Sequence, residues 1–139
     1  QKVARYDAAR GIDRLELERI TGDAADQRAG RAARLGPGVA LRLWPEHDTL
    51  RPFREPDIRR IDLAPVLLAI LAWGGRPATF EWFEPPDAQR AEDALAVLRR
   101  LGAIDDAGIT TIGRQLARLP LSPRLGRLVL AADGHPDAC

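Results

Sequence analysis

The spacing of apolar positions changes period along this chain. Residues 12–20 read Ile12-Asp13-Arg14-Leu15-Glu16-Leu17-Glu18-Arg19-Ile20, with Leu15 and Leu17 set against Arg14, Glu16 and Glu18. A period of two puts alternate side chains on opposite faces and predicts a half-exposed strand. Lys2-Val3-Ala4-Arg5-Tyr6 precedes it and Gly11 supplies a turn, so a β-hairpin is expected. Residues 21–34 read as a helix. Thr21 or Asp23 is placed to cap it, Asp23 and Asp26 suit its positive end, and Leu35-Gly36-Pro37-Gly38 stops it. Val39-Ala40-Leu41-Arg42-Leu43-Trp44 then reads as a strand ended by Pro45. Residues 46–60 mix acids, arginines and prolines without a period, and read as a linker with room for one short helix.

From residue 61 the helical period dominates. Residues 62–73 carry an apolar stripe of Leu63, Val66, Leu67, Ile70 and Leu71, with Asp62 as cap and Gly74-Gly75 as stop. Phe80, Trp82 and Phe83 follow, bounded by Pro85-Pro86. Asp87 opens a helix to Leu101 with Ala91, Ala94, Leu95, Leu98 and Leu101 on one face. Residues 102–111 read as a small hairpin, 113–119 as a short helix, and 124–132 as a last helix beyond Pro120 and Pro123. Helix, helix, small hairpin over 61–112 is the order of a winged helix. The fold class expected is α+β, mostly helical.

Composition narrows the functional classes. The chain has 139 residues, 45% hydrophobic and 29% charged, with a net charge of +1. That is a globular balance with no global field toward nucleic acid or anionic lipid, so any basic site is local. No apolar run approaches the roughly 18 residues of a membrane span, so no membrane partner is expected. The single cysteine is Cys139, and His47 and His135 stand apart, so neither a disulfide nor a metal site is expected. Nothing resembles a signal peptide, and a cytoplasmic location is expected. The chain lacks methionine, opens on a strand-like stretch and ends soon after a helix begins, which reads as a piece of a longer protein.

The chemistry concentrates in Gln27-Arg28-Ala29-Gly30-Arg31-Ala32-Ala33-Arg34. On a continuous helix Gln27, Arg31 and Arg34 fall at i, i+4 and i+7 and share one face, with Arg28 off it. Gly30 and the alanines keep the surface thin. A row of guanidinium forks beside small residues suits a polyphosphate, because arginine gives planar bidentate bonds to phosphate oxygens. The plain alternative is a solvated basic face near a helix C-terminus, where cations are favoured.

These residues resemble the DEAH-box branch of superfamily 2 helicases, bacterial HrpB type, over nearly the whole chain. The octet resembles the sixth helicase motif. Arg5-Tyr6-Asp7, Gly11-Ile12, Arg14-Leu15 and Arg19-Ile20 resemble the segment before it, and Pro37-Gly38-Val39 and Arg42-Leu43-Trp44 the strand after it. Asp57-Ile58-Arg59-Arg60, Asp62-Leu63 and Leu71-Ala72-Trp73-Gly74 resemble the start of the family's winged helix, and Leu119-Pro120-Leu121-Ser122-Pro123-Arg124-Leu125 the step into its ratchet domain. Ala33 stands where the family pattern has a second glycine.

The resemblance implies a layout and roles. Residues 1–45 would end a second RecA-like domain, with the hairpin of residues 1–20 lying where a duplex parts. Residues 46–60 would link it to a winged helix at 61–119, and 120–139 would begin the ratchet domain. ATP would bind between this RecA-like domain and a first one elsewhere in the protein, with RNA or DNA as the strand. Gln27, Arg31 and Arg34 would face the γ-phosphate, with Arg34, or Arg31 with it, as arginine finger. Arg28 would brace the motif through carboxylates. No Gly-x-x-x-x-Gly-Lys-Ser/Thr loop and no Asp-Glu-Ala-His run occurs here, so the Mg2+ would be held elsewhere and these residues alone would be inactive. Two alternatives stand beside this reading. One is a free-standing winged-helix DNA reader, although Arg90, Glu92, Asp93, Arg99 and Arg100 give its second helix mixed charge. The other is a protein-interaction module anchored by Trp73, Phe80, Trp82 and Phe83, aromatics that at such spacing more often belong to a core.

Overall fold

A computed structural model describes residues 1–132; His135, Cys139 and the last part of the expected ratchet segment lie outside the described residues. The chain divides into two compact units, Gln1–Ile61 and the residues from Asp62 onward.

The first unit opens with the expected hairpin. Strand β1 (Lys2–Asp7) pairs antiparallel with β2 (Ile12–Leu17), in the register Lys2↔Leu17 through Asp7↔Ile12. Gly11 turns the chain at φ 68°, a left-handed conformation that glycine adopts without steric cost. One face of the hairpin carries Val3, Arg5, Arg14 and Glu16, and here Val3 is buried. On the other face Leu15 and Leu17 are 70% and 82% exposed. The alternation predicts the strand correctly, but no layer of this unit covers its apolar side.

Helix α1 (Gly22–Ala29) is shorter than the expected 21–34. Thr21 is its N-cap residue, yet no side chain caps it. The Arg51 carbonyl accepts from Gly22 N–H at 2.8 Å and the Pro52 carbonyl from Asp23 N–H at 3.0 Å, so the 46–60 segment satisfies two otherwise unpaired donors. That segment is therefore bonded into this unit. It contains one 3-10 turn, Asp57–Arg59. The strand expected over residues 39–44 does not form. A strand exists only as a pairing, and among the described residues this segment pairs with neither two-stranded sheet.

The second unit runs helix, helix, hairpin, helix, helix: α2 (Ala64–Ala72), α3 (Ala88–Arg100), β3 (Ile104–Asp105) with β4 (Gly108–Ile109), α4 (Thr111–Leu116) and α5 (Pro123–Ala132). Asp87 caps α3 as expected, accepting from Arg90 N–H at 2.9 Å. Asp62 does not cap α2: Leu63 holds the N-cap position without a side-chain bond, and Asp62, one residue earlier, accepts from Ala64 N–H at 3.0 Å in a local turn. Gly74, at φ 91°, ends α2. The core joins Leu63, Ala64, Leu67, Leu68 and Ile70 to Ala94, Val97, Leu98, Ile104 and Leu116. Leu68 is buried where the stripe named Val66 and Leu71, which are only half-buried. Phe80 and Trp82 are half-buried and meet edge to face at 4.9 Å between ring centroids. Trp73 and Phe83 are exposed and so lie outside the core that their spacing suggested.

Candidate functional site

The octet straddles the end of α1. Gln27, Arg28 and Ala29 form its last turn, and Gly30 is the C-cap. Beyond it the pattern tightens: Arg31 N–H reaches Arg28 O at 3.2 Å and Ala32 N–H reaches Ala29 O at 3.0 Å. These i→i+3 bonds mark a tightening last turn. Glycine is a poor interior helix residue, by about 1 kcal/mol relative to alanine, and the stop at Leu35-Gly36-Pro37-Gly38 follows closely. Arg31 and Arg34 therefore sit on turns past the helix, and the single continuous helical face expected for Gln27, Arg31 and Arg34 is not formed.

The side chains of the octet stay available. Gln27, Arg28, Arg31 and Arg34 are all exposed, and none makes a side-chain hydrogen bond or ion pair among the described residues. Arg28, expected to brace the motif through carboxylates, meets no carboxylate among the described residues. Arg42 Nη2 lies 2.5 Å from Asp26 Oδ1, and its guanidinium carbon lies 6.0 Å from the centroid of the Trp44 ring. Arg28 and Ala29 instead line an open hollow of about 190 Å3 with Ile20, Ala25, Ala40, Leu41, Arg42 and Trp44.

Two glycines differ in kind. At Gly38 a Cβ would lie 1.9 Å from the Ala32 carbonyl oxygen, so the returning chain crosses the octet at backbone contact. At Gly30 a Cβ would meet nothing closer than Asp26 O at 3.5 Å, at an ordinary helical φ of −61°. Nothing among the described residues requires glycine there. Ala33 is exposed, and nothing in the structure explains its departure from the family pattern.

An ion network braces the base of the hairpin. Arg5 pairs with Glu16 at 3.3 Å, Glu18 at 2.5 Å and Glu55 at 3.2 Å, and Arg51 reaches Glu18 from the other side at 3.3 Å. The Arg5 hydrogen bond holds the Glu18 carboxyl below its usual range, with Arg51 adding to the effect. Arg60, 7% exposed, donates to Ala4 O at 2.7 Å and pairs with Asp57. In the sequence Asp26 reads only as an acid near the helix start, and Arg42 and Arg60 only as members of longer runs; nothing local marks any of them for these pairings.

On α3, Arg99 pairs with Glu92 at 3.1 Å and Gln89 donates to Asp93 at 3.0 Å, so part of its mixed charge is satisfied internally. Among the described residues no group of histidine, cysteine or acidic side chains is placed to hold a metal ion, and no helix is long and apolar enough to cross a membrane.

Comparison with known proteins settles the family. Residues 94–121 match the helicase associated domain (HA2), winged-helix. The chain is 41% identical to the ATP-dependent RNA helicase HrpA of Escherichia coli K12 over 143 residues, covering 96% of this chain and 11% of HrpA. The chain belongs to the DEAH-box helicase family. It is 33% identical to the ATP-dependent RNA helicase HrpB of the same organism, covering 99% of this chain and 17% of HrpB. A crystal structure of the Escherichia coli DEAH/RHA helicase HrpB superposes with a TM-score of 0.81, covering 99% of this chain and 18% of that one. The chain thus spans less than a fifth of the relatives it matches, including the winged-helix HA2 region.

Proposed function

We propose that this chain is the segment of an ATP-dependent nucleic-acid helicase that forms one wall of the nucleotide site and leads into the winged helix. The observation that carries this reading is the octet. Four donor side chains stand exposed on one short helix end and its following turns, and none is spent on a partner among the described residues. Its likeness to helicases named as ATP-dependent supports the choice of ligand.

The donor set fits a triphosphate. Arg31 and Arg34 carry planar forks with no carboxylate competing for them among the described residues. In this reading Gln27, Arg31 and Arg34 face the γ-phosphate and Arg34, with Arg31, is the arginine finger. Their guanidinium groups stabilise charge spread over the γ-oxygens during phosphoryl transfer. Bound ATP with Mg2+ supplies the phosphoanhydride whose hydrolysis drives strand separation. The phosphate loop and magnesium ligands belong to a first RecA-like domain of the parent protein, and residues 1–45 end the second. Residues 46–60 connect to the winged helix of 61–119, and 120–139 open the ratchet domain. RNA is the proposed strand, after the relatives' names.

The test is ATP hydrolysis by the full-length protein with no strand, single-stranded RNA or single-stranded DNA. Strong stimulation by RNA supports the whole reading, and stimulation by DNA alone replaces the strand but keeps the helicase. No hydrolysis under any condition contradicts it. The 139-residue chain alone is expected to be inactive.

A further inference from the structure

We propose that Asp26, Arg42 and Trp44 form a latch that positions the arginine turn, a role resting on the nucleotide-site reading above. The turn bearing Arg34 has little structure of its own. Beyond the bonds donated by Arg31 and Ala32, residues 33–44 take part in no backbone–backbone hydrogen bond among the described residues. Something other than secondary structure must fix where Arg34 points.

Two contacts close the excursion. Gly38 backs against the Ala32 carbonyl at a distance that admits no Cβ. Arg42 then returns to α1 and meets Asp26 at 2.5 Å, one residue before Gln27. Trp44 lies beside the same guanidinium at 6.0 Å, a cation–π distance. Ala40, Arg42 and Trp44 line one hollow with Ala25, Arg28 and Ala29, so the returning segment runs alongside the helix that starts the octet. The pair joins the two ends of the excursion that carries Arg31 and Arg34.

Both partners are exposed, with side chains at 52% and 70%. An exposed pair contributes at most about 1 kcal/mol to stability, so the latch matters through geometry. Misplacing a reacting group by about 1 Å costs up to about 100-fold in rate. Asp26 and Arg42 touch no reacting atom here and are positioning residues.

The test is a charge-swap cycle in the full-length protein, reading strand-stimulated ATP hydrolysis. Asp26→Arg and Arg42→Asp are each expected to lower kcat about tenfold or more, with KM for ATP within about twofold. Melting temperature is expected to move little, since the pair is exposed. The double swap is expected to recover kcat to within about threefold of wild type, because the pair is restored in reverse. Asp26→Asn, which keeps the shape, is expected to lower kcat in the same direction and covers the case where a reversal misfolds. Single variants at wild-type kcat, or a double swap no better than the singles, overturn the latch. Arg34→Ala run alongside separates the failures. An inert Arg34→Ala beside an unimpaired Asp26→Arg overturns the latch alone, and a fully active Arg34→Ala overturns the nucleotide-site reading beneath it.

Discussion

The Arg60 carbonyl accepts from the Tyr6 amide at 2.7 Å while the Arg60 guanidinium bonds the Ala4 carbonyl beside it, also at 2.7 Å. One residue thereby supplies an acceptor and a donor to the free edge of β1, as a third strand would. Edge groups left bare recruit other strands, and covering them with a loop is a usual remedy. Arg60→Ala keeps the backbone bond but removes the side-chain donor from the half-buried Ala4 carbonyl. A loss of about 1–3 kcal/mol in local stability is expected. Amide hydrogen exchange in β1 and β2 of the full-length protein measures it, and unchanged protection contradicts the clamp.

The hairpin base is expected to respond to acid. Glu18 accepts from Arg5 Nε at 2.9 Å and Nη2 at 2.5 Å, and its pKa is lowered in the folded state. A lowered carboxyl contributes stability that is complete above its unfolded pKa and is lost as pH falls through the folded value. Stability should thus hold through neutral pH and decline on the acid side of the ordinary carboxylate range. Glu18→Gln should flatten part of that acid limb in a profile of melting temperature against pH. An acid limb identical to wild type contradicts the assignment.

The turn into α4 is a second point of high sensitivity. The Thr110 hydroxyl donates to Gly102 O at 2.6 Å and accepts from Gly113 N–H at 3.0 Å, tying the small hairpin to the helix N-terminus. A Cβ on Gly113 would lie 2.0 Å from the Ala103 carbonyl oxygen and 2.7 Å from Ile109 Cγ1. Gly113→Ala should destabilise the winged helix by about 1–3 kcal/mol through overpacking. Thr110→Val should cost about 0.5–2 kcal/mol through loss of the cap. Urea unfolding followed by tryptophan fluorescence reads both, and a neutral Gly113→Ala contradicts this packing.

The two units were not equally readable from sequence. In the winged helix the burial period, the cap at Asp87 and the stop at Gly74 all act within a few residues, so local pattern and fold largely agree. In the first unit the deciding partners are distant. Helix α1 draws its N-terminal acceptors from Arg51 and Pro52, which no pattern around Thr21 reveals. The alternation at residues 39–44 is real, yet a strand is a pairing, and no edge among the described residues receives it. The exposed Leu15 and Leu17 show the same thing from the other side: an amphipathic pattern without its cover in this unit. For the octet, the residue types and their availability were legible. The one-face geometry was not, because it assumed helix through Gly30 and up to the proline-glycine stop.

Turnover by the Arg34→Ala variant of the full-length protein tests the central claim most directly. Nucleotide binding should be largely retained, measured with a fluorescent ATP analogue, while strand-stimulated hydrolysis should fall by roughly 10³-fold, the loss that the proposed arginine-finger role predicts. Hydrolysis at the wild-type rate would remove Arg34 from the nucleotide site and contradict the account.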